Sequence, residues 1–590
     1  MKQQAEQVLG AVGARAWVHA VDLDSGKEVG YGEDGLVVLA GVFKIPVLVE
    51  LFRRFGDGRL DPGARVDVPV EGRSAGPTGL SVMADPIEIS LRDLAYWMMS
   101  VSDNAATDIL VNLLGTESIN ATLRELGLTR TRVDGTCDDL YRMMEEDVPG
   151  GEGDPETLRA ARAVDPERAL QSGTPREITR LLAAIWNDEA AGPEQCAEMR
   201  RILGLQAWPH RLRSGFTEPG AQVSAKTGTL RFWRNEVGVV EDGGRRYAVA
   251  VFVRSDDHEY RRPAADACVG TLGRLAVDHL RSAETRLRTP ATARAATPER
   301  IRDHARSLGA GIWLHARDLG SGRTVGVGES TPVVTASVLK VPVALELARQ
   351  CVSGEVDLTE RVVVPDEGTV PSPFGLAAHR DPVLVSYRDL AHLMMVISDN
   401  VATDLVIDRV GKDRVAALLA GLGLTATAVP QNCAEILAGI DEDLGISYID
   451  DERQLQGMPL ERLQALRALA PEQTCRTTPE EITRLLAAIW RDEAADPQAC
   501  ALVRGWMGDQ IWPHRLTSGF PADDILVSGK TGTLPLVRNE VGVVEFPDGG
   551  RYAVGVFTRT DDPTPNAPHL DALIGWAAAE AVAQLRGERP

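Results

Sequence analysis

The sequence predicts an α/β protein made of two tandem copies of one domain, each an antiparallel sheet subdomain plus a helical subdomain. Two observations carry this expectation. Long segments recur almost verbatim at spacings of 296 and 304 residues, and within each copy strand-like stretches flank a long helix-like middle. Repeats of this length are far beyond a solenoid unit, so they mark duplication of a whole domain.

The repeat is read as follows. WVHAVDLDSGKEVGYGE from Trp17 returns as WLHARDLGSGRTVGVGE from Trp313, and Ser102-Asp103-Asn104 returns as Ser398-Asp399-Asn400, both 296 residues on. EITRLLAAIW, WPHRL and RNEVGVVE return from Glu481, Trp512 and Arg538, 304 residues on. The second copy has therefore gained eight residues between the triplet and the EITRLL segment. The expected organisation is a first domain over 1–285, a linker over 286–298 and a second domain over 299–590. The linker RLRTPATARAATP is rich in residues that bury little.

Within each copy the elements follow in order. WVHAVDL and its successor flank a Ser-Gly turn with alternating bulky residues, the mark of a hairpin. VFKIPVLVELFRRF and VLKVPVALELARQCV carry helical apolar spacing, as do LRDLAYWMMSVSDNAATDILVNLL and YRDLAHLMMVISDNVATDLVIDRV. QVSAKTGTL, NEVGVVE and RYAVAVFVR read as three adjacent antiparallel strands, followed by the helix PAADACVGTLGRLAVDHLRS. Helices inserted between the first and last strands of one sheet leave a cleft between two subdomains.

Composition narrows the function. With 63 Lys+Arg against 85 Asp+Glu the net charge is −22, which repels nucleic acid and anionic lipid, and no local basic patch offsets it. No apolar run approaches the roughly 18 residues that span a bilayer, and the opening residues lack a secretion signal, so a cytoplasmic location is expected. The seven cysteines are scattered without a Cys-x-x-Cys, arguing for reduced thiols rather than disulfides or zinc.

Three short motifs occur in order in the second copy: Ser337-Val338-Leu339-Lys340, Ser398-Asp399-Asn400 and Lys530-Thr531-Gly532. A Ser-x-x-Lys on a helix sets both side chains on one face, so that the amine can take the hydroxyl proton. The triplet serine can relay a proton to a leaving nitrogen and its asparagine can hold an amide. Lys-Thr-Gly on an edge strand offers a cation and a hydroxyl to a carboxylate. Lysine usage supports this reading: of 63 basic residues only seven are lysines, and four of those are Lys44, Lys226, Lys340 and Lys530. Arginine stays protonated, whereas buried lysine can serve as a base.

In this order and setting the motifs resemble those of the serine β-lactamase and penicillin-binding protein superfamily, most closely class A β-lactamases. The resemblance spans nearly all of each copy. It implies catalytic roles for Ser337, Lys340 and Ser398, substrate contacts for Asn400, Lys530, Thr531 and Thr533, and an oxyanion hole from the backbone N–H groups of Ser337 and Thr533. It implies no metal or organic cofactor, and a small molecule or peptide as substrate.

Two departures matter. Position 41, equivalent to 337, is glycine, so the first copy has no nucleophile and is read as a degenerate copy kept for packing. The family carries a glutamate after the triplet that activates the deacylating water. Cys137 and Cys433 stand there instead, and a neutral thiol is a poor base. They are read as small fillers, with Glu435, Asp441, Glu442 and Asp443 nearby as substitutes that spacing does not rank. The histidines His19, His315, His210 and His514 recur in both copies and are read as packing or cleft-shaping groups. SGKTG at Ser528 lacks the earlier glycine of a phosphate loop.

The expected function is a serine hydrolase or acyltransferase that forms an acyl-enzyme on an amide, peptide, ester or β-lactam, with the second domain active. Hydrolysis of β-lactam antibiotics and a non-catalytic binding or scaffold role are the two alternatives. Oligomeric state is left open.

Overall fold

A computed structural model describes the chain apart from residues 152, 219, 258, 282–296, 366–369, 371, 373, 448–451 and 588–590. It divides into two compact units, Met1–Arg288 and Thr289–Pro590. The expected linker 286–298 lies largely outside the described residues.

Each unit is built on a five-stranded antiparallel sheet. In the first the strands run, edge to edge, Glu28–Tyr31, Ala14–Asp22, Arg245–Ser255, Trp233–Asp242 and Gln222–Leu230. In the second the same order is Thr324–Val327, Ala310–Asp318, Arg551–Thr560, Val537–Glu545 and Leu526–Leu534. Central strands such as Tyr247–Val253 are buried residue after residue, because helices cover both sheet faces. One cover is the last helix of each unit, Pro263–Arg281 or Pro568–Arg586; the other includes Pro175–Trp186 or Pro479–Trp490.

Two features depart from the sequence reading. Each unit opens with a helix that the strand-first pattern lacks, Lys2–Val12 and Thr297–Ser307. Its apolar stripe is short, Ala5 with Leu9 and Ile301 with Ala305, and packs with the last helix against the sheet. The segment through the triplet is two helices, Tyr387–Val396 and Asn400–Val410, and likewise Leu91–Ser100 and Asn104–Leu114. The break arises because Ser102 and Ser398 adopt left-handed backbone, φ +56° and +61°, which ends the helical series. Asp103 and Asp399 then cap the next helix by accepting from the N–H of Ala106 and Ala402.

The eight extra residues fall between Cys433–Leu444 and Leu460–Gln464, which correspond to Cys137–Asp147 and Pro155–Ala160. Among the described residues no helix is long and apolar enough to cross a membrane.

Candidate active site

Ser337 lies in a 3-10 turn, Ala336–Leu339, that runs straight into the helix Lys340–Val352. Ala336 holds a left-handed φ of +47°, a costly conformation for a residue with a Cβ and one that recurs at functional sites. The turn is pinned from the sheet, where Asn539 Nδ2 donates to the carbonyls of Val334 at 2.9 Å and Thr335 at 3.2 Å. Gly532 permits this approach, since a Cβ there would stand 2.6 Å from the Thr335 carbonyl oxygen. Ser337 is half-buried and Lys340 has no exposed surface.

The three motifs meet at Ser398. Lys340 Nζ donates to the Ser398 carbonyl at 2.7 Å, to Ser398 Oγ at 3.2 Å and to Asn400 Oδ1 at 3.0 Å. Lys530 Nζ donates to the same Ser398 Oγ at 2.9 Å and to the Thr531 carbonyl at 2.9 Å. Burial holds Lys340 below the usual lysine range. Lys530 is pushed well below it, first by burial and then by the cation of Lys340. Asp399 caps the network from beneath and accepts from the Leu376 N–H at 2.7 Å; burial raises its carboxyl. Ser337 Oγ makes no hydrogen bond among the described residues, so Lys340 spends its donors on Ser398 and Asn400 rather than on the serine three residues before it.

The remaining expected site residues line the strand Leu526–Leu534. The Thr531 N–H donates to Gln510 Oε1 at 2.7 Å, and exposed Thr533 accepts on Oγ1 from Arg515 Nη2 at 2.9 Å. Gln510, Arg515 and Glu540 were not singled out from the sequence, although WPHRL and RNEVGVVE are repeated intact in both copies. Arg515 is held by Asp571 at 2.6 Å and also donates to the carbonyls of Gly532 and Asn539. Glu540 receives Gln510 Nε2 at 2.6 Å and the Leu516 N–H at 2.6 Å, and burial pushes its carboxyl up to about 7.

Cys433 opens the helix Cys433–Leu444 and is buried; burial pushes its thiol up to about 12, leaving it neutral. Three carboxylates of that helix are engaged elsewhere: Glu435 pairs with Lys412 at 2.8 Å, and Glu442 and Asp443 pair with Arg467 at 2.8 Å. A further carboxylate is Asp404, one helical turn after Asn400. It accepts the N–H of Cys433 at 2.7 Å and of Ala434 at 2.9 Å, and burial raises its carboxyl. The i, i+4 spacing from Asn400 was the available signal for it. The histidines stand apart: His315 contacts Thr483 Oγ1 and His514 lies 3.9 Å from Asp571, and burial pushes both to about 4.

The first unit repeats the network around Gly41. Lys44 Nζ donates to Ser102 Oγ at 3.2 Å and Asn104 Oδ1 at 2.9 Å, and Lys226 Nζ to Ser102 Oγ at 2.9 Å. A Cβ on Gly41 would lie 3.1 Å from Ser102 Oγ and 3.4 Å from Lys226 Nζ, so this position faces the hub. It would also lie 2.8 Å from the Thr227 carbonyl oxygen, closer than a side chain tolerates. Asn104 Nδ2 is taken by the Ala75 carbonyl at 2.9 Å and Tyr141 OH at 3.3 Å. Among the described residues no group of His, Cys, Asp and Glu is placed to hold a metal ion, and all seven cysteines are unpaired.

A sheet with an inserted helical block, bearing Ser-x-x-Lys, Ser-Asp-Asn and Lys-Thr-Gly at one cleft, defines the serine β-lactamase-like class in tandem duplicate. The chain belongs to the beta-lactamase enzyme family, whose sequence profile matches residues 1–280 and again 297–585. It is similar to the beta-lactamase regulatory protein BlaB of Streptomyces cacaoi, with 30% identity over 293 residues, covering 46% of this chain and 91% of that protein. It is also similar to an extended-spectrum beta-lactamase of Pseudomonas aeruginosa, 26% identical over 258 residues, covering 42% of this chain and 73% of that one. Among solved structures, a beta-lactamase from Sphaerobacter thermophilus shares 24% identity with a TM-score of 0.41, covering 50% of this chain and 99% of its own.

Proposed function

We propose that the second unit is a serine acyl-enzyme catalyst acting on an amide, peptide, ester or β-lactam, and that the first unit carries no nucleophile. The observation behind this reading is the pair of fully buried lysines, Lys340 and Lys530, meeting at half-buried Ser398 beside the one Ser-x-x-Lys serine of the two copies. Burial favours neutral Lys340, the form that can take the Ser337 proton as Oγ attacks. Ser398 then passes a proton to the leaving group, while Asn400, Lys530 and Thr531 orient the substrate. The backbone N–H groups of Ser337 and Thr533 hold the oxyanion. The neutral Cys433 gives no base for water, so the acyl-enzyme is long-lived.

Intact mass after exposure to a penicillin or an activated ester tests this: one adduct per chain, lost in Ser337→Ala, is the expected result. Absence of any adduct would favour the second reading, a non-catalytic binding or regulatory protein. That alternative draws on the similarity to a protein named as a β-lactamase regulator and on the absence of a hydrogen bond at Ser337 Oγ among the described residues. A chromogenic β-lactam assay addresses antibiotic hydrolysis, for which steady turnover is the required signature.

A further inference from the structure

Each lysine of the hub spends its donors on neutral oxygens. Lys340 donates to the carbonyls of Ser398 and Asp399, to Ser398 Oγ and to Asn400 Oδ1, and Lys530 donates to Ser398 Oγ and the Thr531 carbonyl. The positive charge at the hub is therefore balanced by buried carboxyls that stand further off, and these divide by side. Asp399 and Asp404 bear on Lys340, whereas Glu540 bears on Lys530.

Glu540 lies on the strand Val537–Glu545, directly across the ladder from Thr531, and has no exposed surface. It receives Gln510 Nε2 and the Leu516 N–H, each at 2.6 Å. Gln510 turns its other amide atom, Oε1, to the Thr531 N–H at 2.7 Å, a group on the edge strand that points away from the sheet. The cations that face Glu540 are Lys530 and Arg515, and Arg515 is already held by Asp571 at 2.6 Å. That leaves Lys530 as the cation answering to Glu540. Burial lifts the Glu540 carboxyl to about 7, so it changes charge close to neutrality. The pair recurs in the first unit, where Gln206 Nε2 donates to Glu236 and that carboxyl is also raised to about 7, so the arrangement goes with the hub.

We infer that Glu540 selects which lysine carries the charge the two share: ionised, it holds Lys530 as the ammonium and leaves Lys340 the free amine beside Ser337; protonated, it lets the charge settle on Lys340. Ser398 Oγ, within reach of both nitrogens, carries the exchange. It takes a proton from Lys340 as its own passes to Lys530, while the Glu540 proton goes to solvent. Glu540 is a positioning residue, since it contacts Gln510 and Leu516 rather than the reacting atoms. The inference rests on the acyl-enzyme reading and adds to it the group that arms the base. Its sign separates it from the other buried acids. Ionised Asp399 or Asp404 favours a cation on Lys340 and lowers acylation as pH rises, whereas ionised Glu540 raises it. Cys433, the other titratable neighbour, has its thiol raised to about 12 and stays neutral in this range.

The test follows the full chain across neutral and alkaline pH with p-nitrophenyl acetate, by p-nitrophenol release corrected for hydroxide and by intact mass. Acylation at Ser337 is expected to rise through a limb near 7. Glu540→Gln is expected to move that limb up by about one pH unit or more while leaving the alkaline plateau within about threefold, and Glu540→Asp, which keeps the carboxylate, to bring it back down. Glu236→Gln, in the unit without a nucleophile, is expected to leave the limb in place. A limb that stays put in Glu540→Gln, or a loss of rate equal at every pH, overturns the inference. A second measurement reads the charge without acylation. With isotope-labelled lysine Cε the seven lysines give few NMR signals, and Lys340→Arg and Lys530→Arg assign two of them. As pH rises through the Glu540 range, the Lys530 signal is expected to move toward the protonated position and the Lys340 signal toward the neutral one, and neither to do so in Glu540→Gln. That crossover without any Ser337 adduct overturns the acyl-enzyme reading and upholds the charge assignment. Adducts without the crossover overturn the charge assignment alone.

Discussion

Lys340 and Lys530 converge on one oxygen, their nitrogens standing 3.2 and 2.9 Å from Ser398 Oγ. Two ammonium charges that lack exposed surface repel, so the pair favours a state with one proton fewer, and Lys530 is the member pushed well below its ordinary range. That state supplies a base at the hub.

Lys340→Arg keeps the charge but cannot release it. Acylation at Ser337 is expected to fall by roughly 10²–10⁴-fold, the usual worth of general-base help. Lys44→Arg, beside Gly41, is expected to leave acylation of the second unit unchanged. The adduct count by intact mass stays at one per chain in the unmodified protein, and two would overturn the assignment of Ser337 as the sole nucleophile.

Gly41→Ser is expected not to create a second reactive serine. The new Cβ would press on the Thr227 carbonyl at 2.8 Å, so the turn must shift, at a cost of roughly 1–3 kcal/mol to the first unit. A second adduct per chain in this variant, at the rate of the first, contradicts the prediction.

The pH dependence of acylation follows from Lys340. Its conjugate acid is held below the ordinary lysine value of 10.5, and the neutral form reacts, so acylation rises with pH through a limb lying below 10.5. A stopped-flow profile with an uncharged ester shows whether that limb is present.

Glu540 makes a stability prediction of the opposite sense. Its carboxyl has an ordinary value of 4.5 and a folded value of about 7, so its contribution is full below 4.5 and is lost as pH rises through 7. Each unit of separation is worth about 1.4 kcal/mol. Glu540→Gln is therefore expected to flatten the decline in second-unit stability between pH 5 and 8, measured by denaturant titration at each pH.

Cys433→Ala is expected to change acyl-enzyme lifetime little, because the thiol is neutral. Cys433→Glu places a carboxylate at the motif position of the lost base and is expected to shorten that lifetime, read as decay of the penicilloyl adduct by mass. Rapid steady-state penicillin turnover by the unmodified chain would show that a base has been missed.

The duplication, the strand and helix sequence of each copy and the residues of the Ser398 hub were legible in the chain, because they rest on local periodicity and on motifs short enough to read by eye. The opening helices were not, since Ala5 with Leu9, and Ile301 with Ala305, give too brief a stripe to stand out without the last helix beside them. Gln510, Arg515 and Glu540 were repeated intact in both copies, but their meaning depends on which strand lies next to them.

The sequence by itself determined that position 41 has no hydroxyl, that position 337 has one, and that positions 137 and 433 carry thiols, because each is a statement about covalent identity. Only the tertiary structure decided where the donors go. Helical spacing sets Lys340 on the face of Ser337, yet its nitrogen bonds to Ser398 and Asn400, which a left-handed break brings within 3.2 Å. The carboxylates Glu435, Glu442 and Asp443 stand on the helix Cys433–Leu444 and pair with Lys412 and Arg467, cations that only the fold brings beside them.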